Sequence, residues 1–432
     1  MISSQMLQLS GRSWGSAKSS NVSKLLSAET VSYLVAFATL PFLTRLYGPA
    51  AFGVLGIFMA LSELGGKLAS LRYDLALVLP ESHASAWALY RMAQRWALYF
   101  VLLILLLSYN FRWEISGYFR VEFIAPYFPI IALMVLATAW QSMASSWSMR
   151  MHHDKHLAEA SVGSVLIGSS FKLLAGVLGM GAVGLLIGAA LQRWLKFFYI
   201  RLCTPNSIWL HANSPGDAMR QAILYREFPL CRMPQDVLNC CSRMLPYVLL
   251  AVFFGPLIVG FYFLAGRMVQ LPFSVLHEAV RQGFHVKALE AERSGESLIQ
   301  LSLKLSGLLL ASVLPVLVLA LLWGPMLCAL VLGEEWSVVG EYASWIMVAV
   351  LAHFVSLPAS VLISVIGWNR FYLIFEIFSA IFRLFTVVVV ARIYSPQITV
   401  MAIALSSAAV SLLLLCIVLL RVSQAGRQGR KF

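Results

Sequence analysis

The residues of this sequence that could do chemistry are charged side chains set within long apolar segments. Placing an ionised group in hydrocarbon costs at least about 2.5–3.5 kcal/mol, so such residues usually face a polar cavity or a partner of opposite charge. Cationic side chains gathered in one cavity would bind an anion, because charges attract strongly where the dielectric constant is low. The candidate substrate-binding residues are Lys67, Lys172, Arg243, Arg267 and Arg383.

Acidic side chains in similar segments are candidates for coupling, meaning that they could bind a proton or another cation during a functional cycle. A carboxylate within a membrane segment is as costly as a cation, so it also needs a partner or a polar cavity. The coupling candidates are Glu29, Glu63, Asp236 and Glu376.

Helical spacing predicts partners for several of these charges. Residues four or seven apart lie on one face of a helix. The pairs with this spacing are Glu63–Lys67, Asp236–Arg243 and Glu376–Arg383. Each pair could be a structural ion pair or part of a substrate site. Lys172 and Arg267 have no acid on their own helix face, so they would either face a cavity or extend to the inner membrane surface.

The segments that must position these residues are those of a membrane protein. The chain of 432 residues is 60% hydrophobic and 12% charged, with a mean hydropathy of +0.81. Soluble proteins average about 45–50% apolar and about 25% charged residues. Because crossing hydrocarbon takes about 20 apolar residues per helix, the sequence predicts an all-α polytopic membrane protein. The twelve predicted spans are residues 25–46, 51–71, 91–109, 123–148, 157–178, 181–201, 230–254, 257–282, 302–323, 338–366, 370–392 and 397–421.

The distribution of Lys and Arg predicts the orientation of the chain. Of 32 such residues, 23 fall in the segments on the side of the termini, four fall on the opposite side and five lie inside spans. Arg193 is counted with the first group. Inner loops of membrane proteins are rich in Lys and Arg, so both termini are expected to be cytoplasmic. The net charge of +13 then reflects topology and does not indicate a nucleic-acid partner.

Composition also predicts the domain organisation. Residues 1–24 are polar and rich in serine and lack the apolar core of a signal peptide, so we expect a retained cytoplasmic segment. A six-helix bundle at 25–201, a cytoplasmic linker at 202–229 and a second six-helix bundle at 230–421 would follow. An amphipathic segment at 283–301 is expected at the inner membrane surface, and 422–432 would be a basic cytoplasmic tail.

Two matching turns suggest that the bundles are a repeat. Gly48-Pro49 and Gly255-Pro256 are 207 residues apart, and each interrupts a long apolar run. The same offset relates Glu29 to Asp236. Residues 41–69 and 248–276 share five of 29 residues at this offset. With six spans in each half, the repeat would be parallel, with a pseudo-two-fold axis along the membrane normal.

Motifs of soluble catalysis are missing from the sequence. It has no Walker loop, no His-Glu-x-x-His and no Cys-x-x-Cys, and its one Gly-x-Ser-x-Gly match, at residues 11–15, lies in the polar N-terminal segment. We therefore expect a protein that is not an enzyme and that holds neither a cofactor nor a metal. Trp336, after two glutamates, is expected to anchor the outer membrane surface.

An ordered set of motifs resembles the bacterial polysaccharide-biosynthesis flippases, the Wzx-like oligosaccharide flippases. The first members are residues 43–53 (LTRLYGPAAFG) and 71–80 (LRYDLALVLP). Residues 260–268 (GFYFLAGRM) are similar to the eighth span of that family, and residues 333–336 and 367–370 fit later positions. The resemblance covers nearly the whole chain.

The resemblance implies a MATE-like fold, with two six-helix bundles facing each other across a cavity. It implies a flippase that moves a polyprenyl-pyrophosphate-linked oligosaccharide from the cytoplasmic to the outer leaflet of the bacterial inner membrane by alternating access. The five cationic candidates would hold the pyrophosphate and any acidic sugars. The bilayer, a polysaccharide polymerase and a chain-length regulator are the further partners to consider.

Two other functions are compatible with a chain of this hydropathy. A cation-coupled multidrug exporter could share the fold, but exporters of cationic drugs favour acidic cavities, and this chain has five intramembrane cations. A membrane glycan polymerase or ligase usually has a large outer loop with catalytic charges, whereas the outer connections predicted here are about twenty residues at most.

Overall fold

A computed structural model describes the backbone of residues 16–118, 122–204, 215–294, 297–366 and 368–427. Within these ranges the chain consists of helices and their connections and contains no β-strand. The prediction of an all-α protein is confirmed.

The first half of the chain forms seven helices, of which α3 is a single turn. Helix α1 packs along α6, α2 and α4 pack against α5, and α7 contacts both α5 and α6. The helices are α1 (Ser16–Leu46), α2 (Pro49–Ser70), α3 (Tyr73–Ala76), α4 (His83–Tyr118), α5 (Phe128–Arg150), α6 (Asp154–Val177) and α7 (Gly181–Cys203).

The second half forms seven more helices. The short α8 packs against α4 of the first half, while α11 lies at the centre of its own half and contacts α9, α10 and α14. These helices are α8 (Pro215–Leu224), α9 (Met233–Ser294), α10 (Leu298–Leu332), α11 (Ser337–Val355), α12 (Leu357–Ile366), α13 (Asn369–Ile393) and α14 (Pro396–Arg427).

Ten stretches of the described chain are long and apolar enough to cross a membrane. One of them, Phe228–Gln270, contains the seventh predicted span and much of the eighth. The first predicted span lies in α1, which is not among the ten. The number of twelve crossings therefore stays a prediction. The prediction that the chain crosses the membrane several times is confirmed. Large apolar side chains such as Leu106, Leu308 and Leu330 are 61–74% exposed on α4 and α10, as expected of surfaces that face lipid.

Helix α9 folds back on itself at Gly255, whose φ of 81° and ψ of −179° are not helical. Glycine adopts a positive φ without the steric cost that a Cβ would add. The rings of Tyr247 and Tyr262 are 5.2 Å apart, although fifteen residues of straight helix would separate them by about 22 Å. The predicted turn at Gly255-Pro256 is therefore a hairpin between two antiparallel arms. At the matching turn, Pro49 is the first residue of α2.

The two Gly-Pro turns bring the halves into contact through α2 and the second arm of α9. A Cβ at Gly53 would overlap the carbonyl oxygen of Pro256, and a Cβ at Gly260 would overlap the carbonyl oxygen of Pro49. Each residue and its counterpart are 207 positions apart, so the contact is reciprocal, as expected at the axis of a two-fold repeat. The absence of side chains at the two glycines allows the helix backbones to touch.

The indole ring of Trp336 packs at the same end of the molecule as the two Gly-Pro turns. Trp336 is 2% exposed and packs edge-to-face against Phe52 and Phe261, one from each half. Its Nε1 donates a hydrogen bond of 3.2 Å to the carbonyl oxygen of Thr44. The expectation of a membrane-surface anchor is wrong, because both the ring and its N–H find partners inside the protein.

The amphipathic segment continues α9 as far as Ser294. Phe284, Ala288 and Ala291 on its apolar face are buried in one cluster with Leu357 and Val418, from α12 and α14. Protein therefore covers this part of the apolar face. The position of the segment at a membrane surface stays a prediction.

Candidate functional site

A central cavity of about 720 Å³ lies between the two halves. Helices α2 and α7 of the first half and α9, α11, α13 and α14 of the second half contribute to its wall. Aromatic groups form part of it, including Tyr247 and Tyr262 and the stacked rings of His277 and His353. Its charged lining consists of two carboxylates and four guanidinium groups: Glu63, Glu376, Arg193, Arg243, Arg267 and Arg383.

A second cavity of about 250 Å³ lies mainly in the first half, between α1, α6 and α7, and the second half contributes Arg267 and two apolar neighbours to its wall. Serine, threonine and glutamine side chains make up much of its polar lining. Arg193 and Arg267 line both cavities, so they mark the place where the two meet. The other charged residues of this side cavity are Glu29, Lys172 and Lys196.

The pair predicted from four-residue spacing on α2 is present. Lys67 Nζ is 3.0 Å from Glu63 Oε1, and Arg243 Nη2 is 3.8 Å from the same oxygen. Lys67 is not among the residues that line either cavity; its side chain is 15% exposed, and its ammonium group is paired with Glu63. A role for Lys67 in binding the substrate stays a prediction. Arg243 is 68% exposed and keeps most of its guanidinium free for another partner.

The predicted pair on α13 is also present. Arg383 Nη2 is 3.3 Å from Glu376 Oε1 and donates a hydrogen bond of 2.6 Å to Ser379 Oγ. The Arg383 Nε donates to the carbonyl oxygen of Ser379 as well. These contacts fix the guanidinium against its own helix, so Arg383 contributes a largely compensated charge to the cavity.

Three cations near the junction of the cavities lack an acidic partner within 4 Å in the described parts of the chain. Lys172 Nζ has only Gln192 Oε1, at 3.5 Å, and the Tyr47 hydroxyl donates to the carbonyl oxygen of Lys172. Arg193 and Arg267 have neither a hydrogen bond nor an ion pair to a described residue, and both are half-buried. Their donors are available to a ligand.

Arg193 is a candidate site residue that sequence reasoning missed. It was counted among the inner, topology-setting charges, but it lies midway along α7 and lines both cavities. The predicted span 181–201 already placed it near mid-membrane. Depth within that span was the signal that could have found it.

The two acids related by the 207-residue offset have different surroundings. Glu29 lies in the side cavity, where Ser161 Oγ donates a hydrogen bond of 2.9 Å to it and Lys196 Nζ is 3.5 Å away. Asp236 lines neither cavity. Its Oδ2 is 2.7 Å from Arg72 Nε and 3.5 Å from Arg232 Nε.

Asp236 therefore belongs to an ion-pair network that joins the two halves. Arg72 Nη1 is 3.1 Å from Asp74 Oδ2, and Ser142 donates a hydrogen bond of 2.6 Å to that same oxygen. The seven-residue spacing to Arg243 does not produce a pair, because Arg243 turns to Glu63 instead. The network lies at the end of α2 opposite to Pro49. The central cavity is thus bounded by inter-half contacts at both ends.

Comparison with known families identifies the chain's relatives. A family model described as polysaccharide biosynthesis protein matches residues 42–341. A comparison with curated protein sequences finds no match.

Solved structures with the same fold include transporters and a flippase. An inward-facing multidrug resistance MATE family transporter of the MOP superfamily has a TM-score of 0.65 and 13% identity, over 94% of this chain and 96% of that one. The lipid II flippase MurJ in an inward closed conformation has a TM-score of 0.65 and 12% identity, over 91% and 90%. A mutant of the Vibrio cholerae MATE transporter VcmN has a TM-score of 0.55 and 14% identity, over 96% and 98%. At these identities the likeness establishes the fold, which is MATE-like.

Proposed function

The chain belongs to the family of polysaccharide biosynthesis proteins, and on that premise we propose that it is a flippase for a polyprenyl-pyrophosphate-linked oligosaccharide. The glycan headgroup would pass through the central cavity from the cytoplasmic to the outer leaflet, while the polyprenyl tail stays in the bilayer. The membrane would be the bacterial inner membrane, with both termini cytoplasmic. A polymerase and a chain-length regulator would act on the product.

The observation that carries the proposal is the pair Arg193 and Arg267, which faces both cavities with no acidic group within 4 Å among the described residues. A cation in a low-dielectric site is costly unless a counter-charge meets it. Guanidinium groups bind phosphate oxygens in a bidentate geometry that an ammonium cannot match. Pyrophosphate, which every substrate of this class contains, supplies the charge and the acceptors that this pair lacks.

The remaining cationic candidates would act around this pair. Arg243 is exposed toward the cavity and Lys172 lies in the side cavity, so both are close enough to the junction to extend the positive surface. Arg383 is already paired with Glu376 and would contribute less. Lys67 would act indirectly, by holding Glu63.

Alternating access would come from movement of the predicted bundles, 25–201 and 230–421, about the central cavity. The contact between the Gly-Pro turns would close the outer end, and the network of Arg72 and Asp236 would close the inner end. Glu29, Glu63 and Glu376 remain candidates for binding a coupling cation, because each borders a cavity. Asp236 would serve closure of the inner end instead.

The direct experiment is to delete the gene and find the leaflet in which lipid-linked oligosaccharide accumulates. We expect accumulation in the cytoplasmic leaflet, detected by the resistance of the glycan in spheroplasts to added lectin or glycosidase. Unpolymerised glycan already present outside would instead support a polymerase or ligase and overturn the flippase proposal.

A multidrug exporter is the second candidate, since one structural neighbour is described as a multidrug resistance transporter. Four guanidinium groups against two carboxylates in the central cavity weigh against a cationic drug as substrate. Overexpression should leave resistance to cationic dyes unchanged, and a gain in resistance would favour the exporter.

A further inference from the structure

The side cavity differs from the central one in both size and chemistry. Its volume of about 250 Å³ falls just below the roughly 300–1,000 Å³ of pockets that hold a drug-sized ligand. A small group, such as a single sugar ring, is therefore what its size favours. It opens toward the central cavity at Arg193 and Arg267, where the proposed function puts the pyrophosphate.

Three hydroxyl groups of the side cavity are held as acceptors. Ser32, Thr39 and Ser164 each donate a hydrogen bond, of 2.8 to 3.1 Å, to a carbonyl oxygen of their own helix. A hydroxyl has one proton but two lone pairs, so each oxygen retains acceptor capacity toward the cavity. A ligand that meets these three oxygens donates to them, as the several hydroxyl groups of a sugar can.

The charge of the side cavity points to one particular kind of sugar. Glu29 is already engaged by Ser161 and Lys196. Lys172 has no acidic partner within 4 Å in the described chain and meets only a neutral amide oxygen at 3.5 Å. An ammonium group in this position lacks a counter-charge, and a carboxylate would supply one with a charge-assisted hydrogen bond.

We propose that the side cavity is a subsite for an anionic sugar of the transported glycan, with Lys172 binding its acidic group and the serine and threonine hydroxyls accepting from its ring hydroxyls. This inference rests on the proposed function, because it assumes that the pyrophosphate occupies the junction next to the cavity. It adds a specificity: acidic glycans bind more tightly than neutral glycans of the same size.

Binding to the full-length protein in lipid nanodiscs tests this specificity with three synthetic probes. Each probe is a short-chain polyprenyl diphosphate bearing a trisaccharide, and the trisaccharides differ at one sugar: glucose, glucuronate, or the neutral methyl ester of glucuronate. We expect wild-type protein to bind the glucuronate probe about tenfold more tightly than the other two, as for loss of one charge-assisted hydrogen bond. Equal affinity for all three probes would overturn the subsite, and this comparison needs no variant.

Two substitutions then assign the preference to one residue. K172Q should bind all three probes with one and the same affinity, whereas K172R should retain the preference for glucuronate. If K172Q reduces the affinity for the glucose and glucuronate probes by the same factor, Lys172 does not distinguish the two sugars, and the subsite assignment is overturned.

The same binding measurements distinguish failure of the flippase proposal from failure of the subsite proposal. If wild-type protein binds none of the three diphosphate probes, the flippase proposal is wrong and the subsite falls with it. If wild-type protein binds all three and Arg267→Ala weakens all three, the flippase site stands, and only the difference between probes decides the subsite.

Discussion

Arg72 and Asp236 form an ion pair across the two halves of the molecule, with 2.7 Å between Arg72 Nε and Asp236 Oδ2. Arg72 follows α2 in the left-handed region, at a φ of 57°, and its side chain also binds Asp74. Both partners are largely buried, with side-chain exposures of 17% and 14%. A buried pair of this kind depends on both partners, because removing one leaves the other charge uncompensated.

The first prediction concerns this pair. Thermal unfolding of Arg72→Ala, Asp236→Ala and the double variant should give a coupling energy at the upper end of the range of about 0.5–3 kcal/mol found for interacting residues. The control is Lys155 and Glu159, which are 3.8 Å apart and 83% and 41% exposed. That cycle should give about 0–1 kcal/mol. Equal coupling in the two cycles would contradict an inter-half closure at Arg72.

The second prediction concerns the arginines between the cavities. Arg193→Ala and Arg267→Ala should each reduce transport of a lipid-linked glycan about tenfold or more, because each removes a guanidinium group that would bind a phosphate through two hydrogen bonds. Arg243→Ala should have a smaller effect, since Glu63 shares its guanidinium. Export is measured in cells with protein levels matched by immunoblot. Arg392→Ala, at an exposed position in the last turn of α13, is the control and should leave export unchanged.

Normal export in both Arg243→Ala and Arg267→Ala would exclude the cationic cavity as the substrate site. Arg193→Lys adds a test of geometry. It keeps the charge but loses the bidentate fork, so we expect intermediate transport.

The third prediction concerns the contact between the Gly-Pro turns. Gly53→Ala and Gly260→Ala should each destabilise the protein by about 1–3 kcal/mol. The added methyl group would overlap a backbone carbonyl oxygen, which cannot move aside as a flexible side chain can. Gly307→Ala on α10 is the matched control, since nothing lies within 4 Å of its added Cβ. It should be neutral or stabilising by about 0.5–1 kcal/mol. Thermal unfolding in detergent measures all three, and a stable Gly53→Ala would show that the helices separate readily there.

The fourth prediction concerns coupling. If Glu29 binds a proton during the cycle, transport by Glu29→Gln in proteoliposomes should no longer respond to an imposed pH gradient, while binding of the lipid-linked probe persists. Gln preserves the shape and an acceptor for Ser161. Asp236→Asn is the comparison. It should weaken the interaction with Arg72, but transport should still respond to the pH gradient. An unchanged response in Glu29→Gln would exclude Glu29 as the coupling residue.

Sequence patterns predicted the local features of this molecule well. Apolar runs of membrane length, the turns at Gly48-Pro49 and Gly255-Pro256, and the i,i+4 and i,i+7 ion pairs on α2 and α13 all depend on neighbours within one helix or hairpin. The family resemblance read from the motifs is confirmed by the match over residues 42–341.

Features that depend on two distant helices were not predictable in the same way. Trp336 follows two charged residues and reads as a surface anchor, yet Phe52 and Phe261 enclose its ring. Asp236 shares a helix face with Arg243 by spacing, but Arg72, 164 residues earlier, is the partner that it finds. Arg193 was missed for a related reason: its role depends on the meeting of two cavities, which no single helix contains.

The reciprocal contact of Gly53 and Gly260 has a consequence for how the two halves have diverged. A residue at the axis of an internal repeat meets its own counterpart, so a change on one side immediately alters the fit of the other. Away from the axis this constraint disappears. At the same 207-residue offset, Lys172 corresponds to Ser379, a neutral residue that binds Arg383. A chain built on such a repeat is thus free to place a cation at one position of the first half and a hydroxyl at the matching position of the second, and so to acquire an asymmetric binding site within a symmetric frame.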